Sequence, residues 1–505
     1  EITGGANWIA TGNWTIARVT NAGTFQPGVL GLPLLLTGSF IQTSGATLQV
    51  VVTPSLSSQF IITGNAALAG GIKYVFAPGI YAAHVYDFLT ATGAVTGKYS
   101  TVTYGGAAPT IFTRSTNIMP GGADLVLAGS GTQNTGPAAP AGSSPAAGGT
   151  PAVPQVAGVV APEDGSLFSA EPQMLAEITQ QDTGMLLGKA AQGAAAGNDD
   201  CAAAAEMSPL ATSPNGTSQA GEFASMAARA VCGAGGWVAA TGGVLNADAS
   251  GGAPSYSADT AGFMAGIDRE VSDAGTRLGL AVGYDQVNLH DDLQGKFSSG
   301  VTRVGLYGAQ PLGRFMLAGE LSGGFANNST TRQTGIGALR DDNTTDIVSG
   351  GLQGSTRFSL GPIMLDPAAG IRFATVNSGG ISERAGGVLG AFAVSGDTPY
   401  YSSVQPYLSI VASRRFSTGD GIAVTPLASL GYQAELADRG QAADVVAADG
   451  TAFATEHNSL DGNAALLGLG ISAGKAGWSV YANYAAHVAG NWTEQAGEIG
   501  VAAKF

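Results

Sequence analysis

The sequence predicts an all-β protein of two unlike halves: glycine-punctuated short strands first, then an antiparallel barrel whose outer face meets lipid. Three observations carry this. Charged residues make up only 11% of 505, well below the roughly 25% of a soluble domain. Strict alternation of apolar with small or polar residues is sustained from Gly235 to the last residue, as a barrel wall between lipid and water requires. The longest apolar run, Leu30 to Leu36, is broken by glycine and proline, whereas a membrane helix needs about 20 apolar residues.

Residues 1–128 read as short strands between Thr-Gly, Ser-Gly and Thr-Gly-Asn turns. Asn13–Ile16, Ser39–Gln42, Thr47–Val52 and Phe60–Thr63 are the clearest. Their spacing suits a sandwich or a solenoid, and the recurrence of similar turn-and-strand units favours the solenoid. Residues 129–165 are rich in Ala, Gly, Pro and Ser. Pro137, Pro140, Pro145, Pro151, Pro154 and Pro162 break regular pairing, so this reads as an extended linker.

Residues 166–234 are the helical stretch. Ser169 suits an N-cap with Pro172 in the first turn. Met174, Leu175, Ile178, Met185 and Leu186 follow at loosely helical spacing, and a second piece runs from Ser218 to Val231. Small residues make this a slim helix, which fits either inside a narrow barrel or against its rim.

Residues 235–505 alternate in about twelve segments. Leu278, Leu280, Val282 and Tyr284 oppose Arg277, Gly279, Ala281 and Asp285; Trp478, Val480, Ala482 and Tyr484 oppose Ser479, Tyr481 and Asn483. An even strand count suits a single-chain outer-membrane barrel. Short turns such as Pro311–Gly313 and Leu360–Pro362 alternate with predicted loops at 327–343, 379–402 and 437–456, the asymmetry expected between the periplasmic and outer ends. By phase, Asp268, Arg277, Asp285, Arg303, Glu320, Arg357 and Arg372 point away from lipid. A water-filled lumen tolerates charge there, and an inserted helix would use it.

The last strand ends Glu498-Ile499-Gly500-Val501-Ala502-Ala503-Lys504-Phe505. Glu498, Gly500, Ala503 and Phe505 resemble the terminal assembly signal of bacterial outer-membrane barrels. With the strand count and order, residues 235–505 resemble an autotransporter (type V secretion) translocator domain. Residues 1–128 resemble the end of a right-handed parallel β-helical passenger with its capping, autochaperone segment. The resemblance implies an outer-membrane protein of Gram-negative cells that exports and displays its own amino-terminal region at the surface without nucleotide, with a helical segment in the pore. It also implies lipid and lipopolysaccharide as surroundings, and the barrel assembly machinery and periplasmic chaperones as partners. In one autotransporter subfamily lumen acids help cleave an Asn–Asn bond. Here Asn198-Asp199 is the comparable site, with aspartate second and farther from the first strand. Cys201 and Cys232 bracket the second helical piece, and an oxidising compartment favours their disulfide. Its loop of about 31 residues would stabilise by about 3 kcal/mol.

Other chemistry is thinly represented. A net charge of −15 argues against nucleic-acid binding. His84, His290, His457 and His487 are scattered, and HExxH, P-loop and CxxC patterns are lacking. No enzyme activity, cofactor or metal is therefore expected. Asp291-Asp292 and Asp341-Asp342 fall in loops, where a solvated turn or a calcium site would serve. Two other functions stay open: an adhesin or structural surface protein anchored by the barrel, and a porin-like barrel with an accessory domain.

Overall fold

The computed structural model describes residues 2–129, 158–193 and 235–504, apart from 273, 399, 438, 439, 476 and 477. In the first region five parallel strands, Asn7–Ala10, Thr24–Pro27, Thr47–Val52, Gly71–Phe76 and Thr101–Gly105, stack in chain order into one sheet. The strands between them, among them Gly12–Asn21, Leu34–Gln42, Phe60–Ile62 and His84–Ala91, build a second parallel sheet. This is solenoid geometry, because each coil adds one strand to both sheets. The hairpin Phe112–Met119/Gly122–Gly129 then pairs antiparallel with His84–Ala91. It covers an edge that would otherwise expose unpaired backbone groups.

Apolar side chains at alternate positions fill the solenoid. Phe25 and Phe40, on the two strands of one coil, stack on each other, and Phe60 of the next coil meets both edge-on, with ring centroids 5.0–5.9 Å apart. All three are fully buried, worth about 1.5–3 kcal/mol each. Tyr81 is buried too, and its hydroxyl donates to Ala77 O at 2.7 Å and Val52 O at 2.9 Å. The stretch Gly158–Val160, within the proline-rich segment, pairs back on Gly79–Tyr81.

Twelve long strands, from Gly235–Ala247 to Trp492–Lys504, form a closed antiparallel barrel. The first pairs with the last over its full length, Gly235 with Lys504 and Ala247 with Trp492. Closure leaves no free edge in the wall. Outside stand Ile267, Leu280, Val304, Leu306, Leu352, Leu408, Leu469, Ile499 and Val501, each exposed, a band that water would not tolerate and lipid does. At the short-turn end Arg314 lies over Phe315 and Phe358, and Arg414 over Phe416, where aromatic rings and basic heads suit the membrane interface.

One segment departs from expectation. Residues 327–343 are not a loop: Phe315–Thr334 and Gly337–Thr356 are 20-residue strands joined by a two-residue turn. Period-two alternation weakens here into polar residues because this part of the hairpin stands above the membrane. Such strands, tilted about 45°, rise about 45 Å against a hydrocarbon core of about 30 Å. Trp478–Val488 on the far wall has 11 residues. The barrel is therefore taller on one side, and the solenoid rests on that side. Val51, Val75 and Ala77 pack with Leu339, Val388 and Phe392, and Lys73 Nζ donates to Gly335 O at 3.2 Å.

Candidate functional site

Among the described residues, the helix Leu167–Gly193 occupies the barrel lumen. It begins two residues before Ser169, so Ser169 is not its N-cap and Pro172 lies beyond the first turn. Ser169 Oγ instead contacts Thr455 Oγ1 at 3.1 Å and accepts from Ala443 N. Glu171, Gln173, Thr179, Gln180, Gln181, Asp182, Thr183 and Lys189 are all buried beside Met174, Leu175, Ile178, Met185 and Leu186. A helix buried on every side keeps no single apolar stripe. Its polar groups must find partners in the wall.

They find them in layers. Near the outer mouth Glu171 accepts from Asn328 (2.9 Å), Asn343 (3.3 Å) and Thr330 (3.4 Å). In the middle Arg303 pairs with Asp182 at 3.2 Å and donates to Thr179 O and Thr179 Oγ1. Arg372 donates to Gln180 O at 3.0 Å and to Gln405 and Gln433. Thr183 meets Ser349, Gln180 donates to Ser403, and Gln181 donates to Glu494, which also pairs with His487. At the inner mouth Lys189 Nζ lies 4.4 Å from the centre of the Trp237 ring. Trp237 donates to Tyr307, and Tyr307 to Asp268.

Of the lumen-facing positions read from the sequence, Arg303 and Arg372 grip the helix directly. Asp285 sits beside Asp182 and Arg303, and Glu320 beside Thr183 and Arg303. Asp268 and Arg277 pair with each other at 2.6 Å near the inner mouth. Arg357 pairs with Asp366 at 2.7 Å. In the terminal strand Glu498 points inward and accepts from Tyr481 at 2.7 Å. A side chain on Gly500 would strike the Tyr481 ring. The side chain of Ala503, and Phe505, fall outside the described residues, as do Asn198, Asp199, Cys201, Cys232 and the second helical piece.

Sequence reading missed the wall partners Asn328, Ser349, Ser403, Gln405, Gln433 and Glu494. Their phase marks them as inward, but polar residues also face an empty aqueous lumen. It missed as well the sheet formed by the outer loops. Ile381–Ser382, Val394–Asp397, Asp444–Ala447 and Ala452–Ala454 pair in that order, and Ile381, Val394, Ala443 and Val445 cover Phe168 at the helix entry. Among the described residues no helix is long and apolar enough to cross a membrane.

A closed twelve-stranded barrel with a lipid-facing exterior and a helix lodged in its pore defines an outer-membrane translocator-type β-barrel. Residues 236–485 match the family described as "Autotransporter beta-domain", and the chain belongs to the autotransporters, proteins of the Gram-negative outer membrane. Similar solved structures are the translocator domain of the autotransporter NalP from Neisseria meningitidis (14% identity, 54% of this chain and 89% of that one, TM-score 0.44) and the β-domain of the Bordetella autotransporter BrkA (20%, 54% and 100%, TM-score 0.44). A curated relative, an extracellular serine protease of Serratia marcescens, is 28% identical over 203 residues. The match takes in 39% of this chain and 19% of the relative, so this chain spans about a fifth of that relative's length.

Proposed function

We propose that the barrel exports the chain's own amino-terminal passenger and holds it at the cell surface. The observation that carries this is the path of the polypeptide. The helix runs down the lumen from a turn beneath the solenoid, Pro162–Ser166, to Lys189 beside Trp237 at the short-turn end. Outside that end would lie the periplasm, and the solenoid would stand beyond the long loops. Export then needs no nucleotide: folding of the solenoid and its capping hairpin outside biases movement outward. Residues 1–128 act as the passenger's end, 129–165 as connector, 166–234 as the pore segment and 235–505 as the translocator. Lipopolysaccharide of the outer leaflet surrounds the barrel, and the assembly machinery reads the terminal strand through Glu498, Gly500, Ala503 and Phe505. The contact between solenoid and barrel mouth favours a retained, displayed passenger over cleavage at Asn198-Asp199. The Serratia relative supports a second reading, in which the passenger of the whole protein is an exported enzyme; the barrel itself is a conduit, not a catalyst.

The test is a membrane-impermeant, amine-reactive label on intact cells, read by mass spectrometry. Lys98 is exposed on the solenoid and Lys475 at a short turn of the barrel. Label on Lys98 and none on Lys475 is the expected pattern. The reverse pattern would overturn the orientation and with it the export reading.

A further inference from the structure

At the outer mouth the fold joins two carboxylates from distant parts of the chain. Asp164 lies in the turn before the pore helix, with φ of 57°, a left-handed conformation that Asp tolerates better than most residues. Asp291 begins the tight connection to the fourth barrel strand, Lys296–Leu312. Both side chains are more than nine-tenths buried. Asp291 Oδ1 accepts from Gly295 N at 2.7 Å, and Asp164 Oδ2 accepts from Gln333 N at 3.4 Å. The other oxygens, Asp164 Oδ1 and Asp291 Oδ2, are buried with no hydrogen-bond partner among the described residues. A Cβ on Gly295 would collide with both carboxylates at once, so they converge on one spot.

The local cation is already committed. Arg332 donates to both carboxylate oxygens of Glu383 (2.9 and 2.6 Å), to Glu163 O and to Phe392 O, each at 2.8 Å. Glu383 thus takes this guanidinium, which acts on Asp164 only through space. Uncompensated buried charge is unfavourable, and either a proton or a metal ion must balance it. A cavity of about 550 Å³ reaches the spot, lined by Asp164, Glu163, Leu293, Gln333 and Glu456. It gives a hydrated cation a way in and further oxygen ligands.

We propose that Asp164 and Asp291 bind a divalent cation of the calcium class, which clamps the entry turn of the pore helix to the outer end of the barrel wall. Calcium takes six to eight oxygen ligands in flexible geometry. Two carboxylates supply the charge; loop carbonyls and water from the cavity complete the shell. The clamp's placement on the cell exterior rests on the orientation proposed above; the binding does not.

The test uses the full chain, purified in detergent and stripped of metal with chelator, so it reads binding whatever the orientation in cells. Calorimetric titration with calcium chloride at neutral pH should show one site per chain, tighter for calcium than for magnesium. Asp164→Asn and Asp291→Asn should each weaken it at least tenfold, while Asp420→Asn, in an exposed turn, leaves it unchanged. Heat-modifiable migration on gels checks that each barrel is assembled. Hydrogen exchange on the wild type gives a readout that needs no variant: calcium should slow exchange at residues 162–168 and 291–295. Absence of binding up to millimolar calcium, equal binding by both Asn variants, or protection confined to other regions would each overturn the proposal.

Discussion

Arg303 on the barrel wall reaches Asp182 on the pore helix at 3.2 Å, with both side chains almost wholly buried. Burying two charges is unfavourable, but removing one partner is worse, costing about 3–5 kcal/mol. Arg303→Ala should therefore loosen the helix in the lumen. In planar-bilayer recordings this variant should conduct more, and open more often, than the wild type, while the double variant with Asp182→Ala recovers part of the closure. Unchanged conductance would show that the remaining layers, Arg372 with Gln180 and Glu171 with Asn328, hold the helix alone.

Val304 and Val282 face each other across neighbouring strands on the lipid side. Arginine near the bilayer midplane destabilises a barrel by about 2–4 kcal/mol. Val304→Arg should lower stability by that order in reversible unfolding from vesicles. Ser349→Ala, inside the lumen, should cost about 1 kcal/mol for its lost bonds to Thr183 and Ser322. Equal effects would contradict the assignment of faces.

The solenoid carries a pH response of its own. Asp124 and Asp87 are directly opposite in the antiparallel capping pair. Burial first, then the Asp87 carboxyl, raises Asp124 to about 6, with Tyr74 nearby. An unfolded Asp titrates near 3.9. The folded form binds its proton more tightly, so stability is greatest below about pH 4 and falls as pH rises through about 6. Thermal melts of the amino-terminal region between those values should show this slope, and Asp124→Asn should flatten it. A slope that survives the substitution would place its cause elsewhere.

Phe392 is almost fully buried where the outer loops meet Val51 and Val75. Replacing a core Phe by Ala costs about 3–5 kcal/mol. Phe392→Ala should speed hydrogen exchange at Thr47–Val52 and Gly71–Phe76 while leaving the strands around Val282 and Val304 protected. Protection retained at both solenoid strands would mean that Lys73 and the Gly79–Tyr81 pairing suffice for docking.

Much of the architecture was legible because its signals are local. Leu278 to Asp285 reports its two faces residue by residue, and Phe25, Phe40 and Phe60 recur with the solenoid's turns. The lumen was legible only in part. Charge at Arg303 and Arg372 marks an inward face, but nothing in the sequence pairs Arg303 with Asp182 or Arg372 with Gln180, since those partnerships depend on the helix's rotation and depth. The paired outer strands Val394–Asp397 and Asp444–Ala447 are short and far apart in sequence. The tall hairpin carries a loop's signature because Asn327 to Asn343 is largely polar on both faces, as a strand above the membrane is free to be. Asp164 and Asp291 look like two ordinary turn residues until the fold sets them side by side.

The pairing of Gly158–Val160 with Gly79–Tyr81 alters what a single break in the chain can do. Both ends of the segment between Gly129 and Gly158 are fastened to the same solenoid, one through the capping hairpin and the other through this short antiparallel pair. A protease that cuts once within that segment severs the covalent link between surface domain and anchor without freeing the surface domain. The two fragments stay together by strand pairing and by the contact with the barrel mouth, as a nicked heterodimer does. Fragment size on a denaturing gel and material shed into the medium would then report two separate events: hydrolysis, and dissociation.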